Sequence, residues 1–439
     1  MTNQETHLPR PLDRGEAFFW LLDRASANNF VVIAEGEGPL PEAALKAALA
    51  RAQSEHPLLT ACITAHDDGQ LYFEQGTDNP VALTIATAEA DWRMQLAQLM
   101  VQPFALGETP LMRACRIDLG DASGWVFALV FHHSIADGRS ASQLLLEILE
   151  HASGVDRPQR TRSSQPQMHA VFPPHLQGQA GEEHASELKQ TKRLEFKALG
   201  KPDEFPAFSR IFGPTDPGLV SFHVATEQLT QIAERARQEK SSVNGAVGAA
   251  QLLALQAAFG DGAPKLLSQV HATDLRDTLV HPIDHSTPGA YVSMITSTQL
   301  VDGPASFWAV ARGLTQDIRR QLQRGDGHQF FRLLPPPENF PPTPEGITAF
   351  ADMIGKWPLS NMLSNAGRLP ELHKAAKISL RHVSFALCPN PSVVVFCTAS
   401  TYQGRLTVNI NYEKHRLAEP VLRQIAATFE QQLQGCATL

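Results

Sequence analysis

Hydroxyl-bearing aromatic rings are scarce in this sequence: it holds 4 Tyr against 22 Phe. Most of its rings therefore suit a core or the walls of an apolar pocket better than a surface for stacking nucleic-acid bases. Positive charge is also in deficit. Lys and Arg total 37 against 45 Asp and Glu, a formal charge of -8, which removes any overall attraction for DNA, RNA or an anionic membrane. The 5 cysteines, Cys62, Cys115, Cys388, Cys397 and Cys436, include no close pair and no metal-type spacing. Their odd number argues against a disulfide framework, so a reducing, cytoplasmic setting is expected. Long apolar runs are missing too. The longest, Ala246 to Phe259, is interrupted by Gln251 and Gln256, which makes it a buried helix rather than a membrane span. Residues Met1 to His7 carry neither a basic leader nor an apolar stretch, and no secretory signal is expected.

What is present fits a globular chain: 43% hydrophobic and 19% charged residues over 439 positions. That length exceeds what one core usually supports, and two domains of roughly 200 residues each are expected. Glu16 to Leu22 reads as a helix and Asn29 to Ala34 as a strand. Pro41 opens a helix in which Ala44, Leu45, Ala48 and Leu49 recur at helical spacing. Leu58 to Thr64, Leu71 to Phe73 and Val81 to Ile85 are short and strand-like, and Asp91 to Met100 is helical. In Gly124 to Phe131 both alternating sets are apolar, which predicts a central strand buried on both faces. A helix follows from Arg139 to Glu150. The run from Asp156 to Gln167, with Arg157, Arg160 and Arg162, has little to bury and reads as a surface connection. Glu183 to Lys197 can form a helix.

The second half opens with a strand at Leu219 to Val224 and a helix at Glu227 to Lys240, then the apolar helix from Val243 to Phe259. Strands at Leu267 to Ala272 and Ala290 to Leu300, a helix at Ala305 to Arg324 and a proline-rich loop including Phe340 to Pro344 come next. Strands at Ile378 to Ala386, Ser392 to Ala399 and Arg405 to Tyr412 precede a last helix from Pro420 to Gln434. The expected class is α/β, in layers, with residues 1–175 as one half, 176–215 as a crossover linker and 216–439 as the other half.

The chemistry-bearing residues stand at the end of the buried strand: His132-His133-Ser134-Ile135-Ala136-Asp137-Gly138. A histidine delivered there is held rigidly, and roughly three quarters of an unperturbed imidazole is neutral at pH 7 and able to accept a proton. Asp137 either orients His133 directly or makes an internal ion pair that fixes the strand-to-helix turn. Gly138 supplies unusual backbone angles or room for a substrate. Adjacent histidines on an extended strand point to opposite faces, and no Cys or His nearby completes a tetrahedral set, so no metal is expected. Taken alone, so short a pattern is also consistent with a chance His-His pair before an ordinary helix cap. Neither Ser134 nor Ser140 has the Gly-x-Ser-x-Gly context of a nucleophile elbow.

The segment from His132 to Ser140 resembles the HHxxxDG motif of the superfamily that includes nonribosomal-peptide condensation domains, polyketide-associated acyltransferases, alcohol acetyltransferases, carnitine and chloramphenicol acyltransferases and the plant acyltransferases. Gly38 to Leu59 is similar to that family's opening helix, Ser242-Val243-Asn244-Gly245-Ala246 to the start of its deep second-half helix, and Asp274-Leu275-Arg276 to its basic position. Ser364-Asn365-Ala366-Gly367 resembles its late Ser-Asn-x-Gly segment, and Gly404 to Val408 its usual strand. The plant branch's Asp-Phe-Gly-Trp-Gly segment is missing, and the likeness is greater to the bacterial polyketide-associated and condensation-like branch.

The resemblance implies two chloramphenicol-acetyltransferase-like halves forming a pseudo-dimer with a tunnel between them. It implies His133 as the catalytic general base, His132 as a supporting neighbour and Asp137 as the structural partner of Arg276. Gly138 stands beside them, and Ser364, Asn365 and Gly367 mark a channel or oxyanion region. The implied activity is transfer of an acyl group, other than an aminoacyl group, from a thioester to a hydroxyl or amino acceptor in lipid, polyketide or other secondary metabolism. Coenzyme A or the phosphopantetheine arm of an acyl carrier protein would bring the acyl group as co-substrate, with no tightly bound cofactor. A few local cations suffice for either donor despite the global charge. Internal duplication lets a monomer build its own cleft. The alternatives are a stand-alone condensation enzyme that forms an amide between carrier-bound substrates, and a non-catalytic protein that binds a thioester or a carrier.

Overall fold

The computed structural model describes residues 8–88, 91–120, 124–160, 166–213 and 215–439. The first seven residues, Arg162 and part of the 118–123 connection lie outside the described residues. Along the first half run β1 (Arg10–Pro11), α1 (Arg14–Ala25), β2 (Phe30–Glu37), α2 (Glu42–Glu55), β3 (Ala61–Ala65), β4 (Leu71–Gln75), β5 (Ala82–Thr87), α3 (Trp92–Met100), β6 (Met112–Asp118), β7 (Gly124–Phe131), α4 (Gly138–Ala152) and α5 (Gly178–Leu199). The second half holds β8 (Pro217–Val224), α6 (Thr226–Gln238), α7 (Val243–Ala258), β9 (Lys265–Asp274), β10 (Val292–Val301), α8 (Phe307–Arg324), α9 (Asp326–Leu333), α10 (Pro344–Gly355), β11 (Ser360–Arg368), β12 (Ser379–Leu387), β13 (Val393–Tyr402), β14 (Arg405–Glu413) and α11 (Glu419–Gly435).

Two large sheets carry the architecture. One has the order β12-β2-β7-β6-β5 and the other β10-β9-β11-β13-β14-β8, beside a small sheet β1-β4-β3. All eight residues of β7 are buried, as its doubly apolar pattern requires, because β2 and β6 flank it and side chains cover both faces. The helix α7 is buried from Gly245 to Gln256, which accounts for its lack of a polar face. Helix starts follow local chemistry: Asp13 caps α1 in a capping box with Glu16, and the Ser242 side chain accepts from the Gly245 N–H to cap α7.

Several expectations need correction. Residues Pro57–Thr60 form a 3-10 turn before β3 rather than the start of a strand, because Pro57 fixes φ at the first position. The proline-rich stretch ends sooner than its composition suggests: Pro344 is the first residue of α10, whose cap Thr343 accepts from the Gly346 N–H. Periodicity does not separate the short helix α9 or the strand β11 from their surroundings. Helix α5 extends over 178–199, pinned to α9 by Lys192–Asp326 and by Glu195–Arg324 beside it.

One strand leaves its own half. β12 pairs with β2 from Ser379↔Glu37 to Leu387↔Phe30 and so completes the sheet of the first half. The junction is tight at Gly36, where a Cβ would stand 2.6 Å from Trp125 Cη2 and 2.7 Å from the Ser379 carbonyl oxygen. Gly36→Ala is expected to cost about 1–3 kcal/mol through overpacking and to lower Tm in a thermal melt. An unchanged Tm would contradict a close-packed seam.

Candidate active site

His133 lies two residues past the end of β7 and is 9% exposed. Its ring stacks face to face on Phe19 of α1, with centroids 4.1 Å apart and planes at 3°, and packs at 4.9 Å against Phe30 of β2. Its Nδ1 is 3.1 Å from the Ala136 carbonyl oxygen. A carbonyl only accepts, so this bond requires the proton on Nδ1 and leaves the Nε2 lone pair free. Burial holds the His133 pKa below its ordinary value, although the Asp137 charge and the Ala136 carbonyl act in the opposite direction. The ring is therefore neutral at pH 7.

His132 faces away, edge-on to Phe104 at 6.1 Å. Its Nδ1 accepts from the Ser134 N–H at 3.2 Å, and burial pushes its pKa down to about 4. The Ser134 hydroxyl donates to the Glu16 carbonyl at 2.7 Å, tying the loop to α1.

Asp137 is the N-cap of α4. Its Oδ1 accepts from the Ser140 N–H at 3.0 Å, while Oδ2 accepts from Arg276 Nη1 at 2.6 Å and from the Tyr291 N–H at 3.2 Å. Among the described residues its carboxylate makes no bond to His133. Arg276 is 0% exposed. Besides Asp137 it donates from Nη2 to the carbonyls of Thr287 and Gly289 at 3.3 and 3.0 Å, and Nη1 reaches Asp274 at 3.3 Å. Burial by itself would raise the Asp137 pKa, but the Arg276 charge and the bonds from Ser140 outweigh it and hold the carboxyl below the usual carboxylate range. Gly138 is required by space: a Cβ there would stand 2.8 Å from the Phe385 ring.

These residues border a cavity lying between the two large sheets. The first half contributes Phe18, Phe19, Leu22, Asn28, Phe30, His133, Asp137 and Gly138; the second contributes Ala272, Val292, Met294, Trp357, Met362, Ser364, Phe385, Leu387, Cys388, Asn390 and Phe396. Ser364 of β11 thus shares the cavity with His133. Asn365 and Gly367 instead line a separate cleft against α6, where Asn365 Nδ2 donates to Asn244 and the Gly367 N–H donates to Asn365 Oδ1. Sequence reasoning misses the Phe19 and Phe30 contacts, although a Phe-rich α1 preceding a histidine motif is the signal that could have found them. Cys388 also lines the cavity, but burial pushes its thiol pKa up to about 12, which removes the thiolate a nucleophile needs. Among the described residues, no group of His, Cys, Asp and Glu is arranged to hold a metal ion, and no helix is long and apolar enough to cross a membrane.

Residues 214–411 match the family model described as Phthiocerol/phthiodiolone dimycocerosyl transferase C-terminus. Solved structures extend the likeness over nearly the whole chain. Polyketide synthase associated protein 5 from Mycobacterium tuberculosis superposes with TM-score 0.66 at 16% identity, covering 98% of each chain. The trichothecene 15-O-acetyltransferase from Fusarium sporotrichioides gives 0.72 at 12% identity, covering 97% of this chain and 95% of that one. The condensation domain from Monacolin K polyketide synthase gives 0.66 at 13%, again covering 98% of each. The chain shares the fold of these proteins. The curated relatives it matches are far longer proteins, of which it spans only a small part. A linear gramicidin synthase polypeptide of Brevibacillus parabrevis is 30% identical over 162 residues, which are 32% of this chain and 3% of that protein. A plipastatin synthase polypeptide of Bacillus subtilis is 29% identical over 152 residues, covering 32% of this chain and 6% of that protein.

Breaking the Asp137–Arg276 pair from either side should cost about 3–5 kcal/mol, because a charge is left buried and unpaired. Asp137→Ala combined with Arg276→Met should cost less than the sum of the two, which a double-mutant cycle by chemical denaturation measures. The sign of the pH effect follows from the lowered Asp137 pKa. Its contribution is full above the carboxyl's unfolded pKa and is lost as pH falls through the folded value, so the wild type should lose stability below about pH 4 more steeply than Asp137→Ala.

Proposed function

We propose that this protein is an acyltransferase that moves an acyl group, other than an aminoacyl group, from a coenzyme A or carrier-protein thioester to a hydroxyl or amino acceptor, with His133 as general base. The observation that carries the reading is a neutral imidazole whose Nδ1 is fixed by Ala136 and whose ring borders an apolar cavity between two halves. Nε2 takes the proton of the acceptor as its oxygen or nitrogen attacks the thioester carbonyl. The tetrahedral intermediate collapses, the carbon–sulfur bond breaks, and the imidazolium returns the proton to the thiolate. Transfer is direct, through a ternary complex. Three side chains that could otherwise carry an acyl group are unsuited to it: the Ser134 and Ser140 hydroxyls are engaged with Glu16 and Asp137, and the Cys388 thiol is held protonated. The Ser364 hydroxyl is the side chain best placed to steady the oxyanion, since it shares the cavity with His133 while Asn365 and Gly367 do not.

A second reading has a specific support. The curated relatives are a linear gramicidin synthase and a plipastatin synthase, one similar structure is a condensation domain, and a condensation enzyme joining two carrier-bound substrates as an amide would use the same base. Free thiol release from acyl coenzyme A and from acyl carrier protein, each offered alcohol and amine acceptors, separates the two. Coenzyme A turnover with an alcohol supports the first reading, and strict dependence on two carriers supports the second. Binding without turnover across the panel would leave a thioester-binding protein.

His133→Ala should keep the wild-type Tm within a degree or two and reduce transfer by about a hundredfold or more. Because burial lowers the His133 pKa, the acid limb of the kcat/KM profile should fall below pH 6.5, the ordinary histidine value. A stable acyl adduct on the protein, seen by intact-mass spectrometry during turnover, would sink the ternary mechanism.

A further inference from the structure

Most of the cavity wall is apolar, which makes its few unpartnered polar groups conspicuous. Asn28 is 3% exposed, lines the cavity, and its buried Nδ2 has no hydrogen-bond partner among the described residues. Native proteins seldom leave a buried amide donor unmet. Nor is the residue loosely held. Its backbone N–H donates to Asp23 Oδ1 at 3.1 Å, Asn29 Nδ2 donates to the Gln102 carbonyl at 2.9 Å, and Arg416 from the second half donates to Ser26 Oγ at 2.9 Å. Asn390 lines the same cavity from the other half. Its Oδ1 accepts from the Ser392 N–H at 2.9 Å, which fixes the orientation of the carboxamide of this half-buried residue.

We propose that Asn28 and Asn390, one from each half, form a carboxamide anchor that binds a neutral carbonyl oxygen of the substrate lodged beside His133. Two NH₂ donors call for an oxygen acceptor. Among the described residues no Lys or Arg lines the cavity, so a carboxylate would enter with its charge uncompensated and a ketone or amide carbonyl is preferred. Such a carbonyl has two sources: an oxygen function along the acyl chain, or an amide of the pantetheine arm. The identity of the ligand as an acyl thioester rests on the acyl-transfer reading above, whereas the anchor itself rests on the two side chains.

The test is calorimetric titration of the full chain and its Asn28→Leu and Asn390→Ala variants with three non-reactive thioethers: decyl coenzyme A, 3-oxodecyl coenzyme A, and a decyl thioether lacking the pantetheine amides. If the acyl oxygen is the ligand, Asn28→Leu weakens the 3-oxodecyl compound by about tenfold, the value of one neutral hydrogen bond, and spares both decyl compounds. If a pantetheine amide is the ligand, both coenzyme A compounds weaken together and the truncated one does not. Either result supports the anchor. Unchanged affinities in both variants, equal losses for all three ligands, or no wild-type binding would overturn it. Where Asn28→Leu melts early, Asn28→Ala, which removes the donor without adding bulk or charge, is read in its place. Turnover is scored separately. Normal binding without any transfer sinks the acyl-transfer reading and leaves the anchor standing, and normal transfer with indifferent asparagines does the reverse.

Discussion

A guanidinium with no exposed surface has to find its solvation inside the protein, and Arg276 finds it in Asp137 and in the carbonyls of Thr287 and Gly289. Asp137 in turn directs its second oxygen to Ser140, at the head of the helix that follows the histidine motif. The backbone between His133 and α4 is therefore held at one end by β7 and at the other by a charge belonging to the opposite half of the chain. Desolvating such a pair costs several kcal/mol per ion, which the mutual attraction and the added hydrogen bonds must offset. Its value thus lies less in net stability than in fixing where the turn runs. Ala136, whose carbonyl sets the His133 tautomer, sits next to Asp137, so a shift of the ion pair would be felt at the imidazole within one residue.

How much of this is legible in advance depends on how local each cause is. The doubly apolar β7, the Asp137 cap and the apolar α7 follow from short-range pattern and can be read directly. The Asp137–Arg276 contact joins residues 139 positions apart, and only resemblance to a family suggests it. Pattern also fails where burial is shared out by tertiary contacts. The strand β11 carries Ser364 and Asn365 in a half-polar sequence because it runs parallel between β9 and β13, and a segment of that composition has no strand periodicity of its own. Ser364, Asn365 and Gly367 stand together in the sequence, but alternation along β11 sends neighbouring side chains to opposite faces. Only Ser364 of the three reaches the His133 cavity. Phe19 and Phe30 read as core, and their role as the ring's stacking partners depends on the mutual approach of α1 and β2, which no local signal encodes.

The cavity's composition and the state of its imidazole are two results of one cause. Aromatic and aliphatic walls exclude water, and this disfavours every charged form that is not separately paired. Hence the imidazole of His133 stays neutral, the Cys388 thiol stays protonated, and Asp137 keeps its charge because Arg276 and the bonds from Ser140 are there. A single environment thereby sorts its titratable groups into a neutral imidazole, a protonated thiol and a fixed ion pair.

The strand β12 has a mechanical consequence. Because it belongs to the second half by connectivity and to the first half's sheet by hydrogen bonding, the two halves share a continuous ladder along one wall of the cavity. Swinging them apart like the leaves of a door would tear that ladder from Ser379 to Leu387. Trp357 and Phe18 stack at 6.1 Å on the border of the space between the sheets.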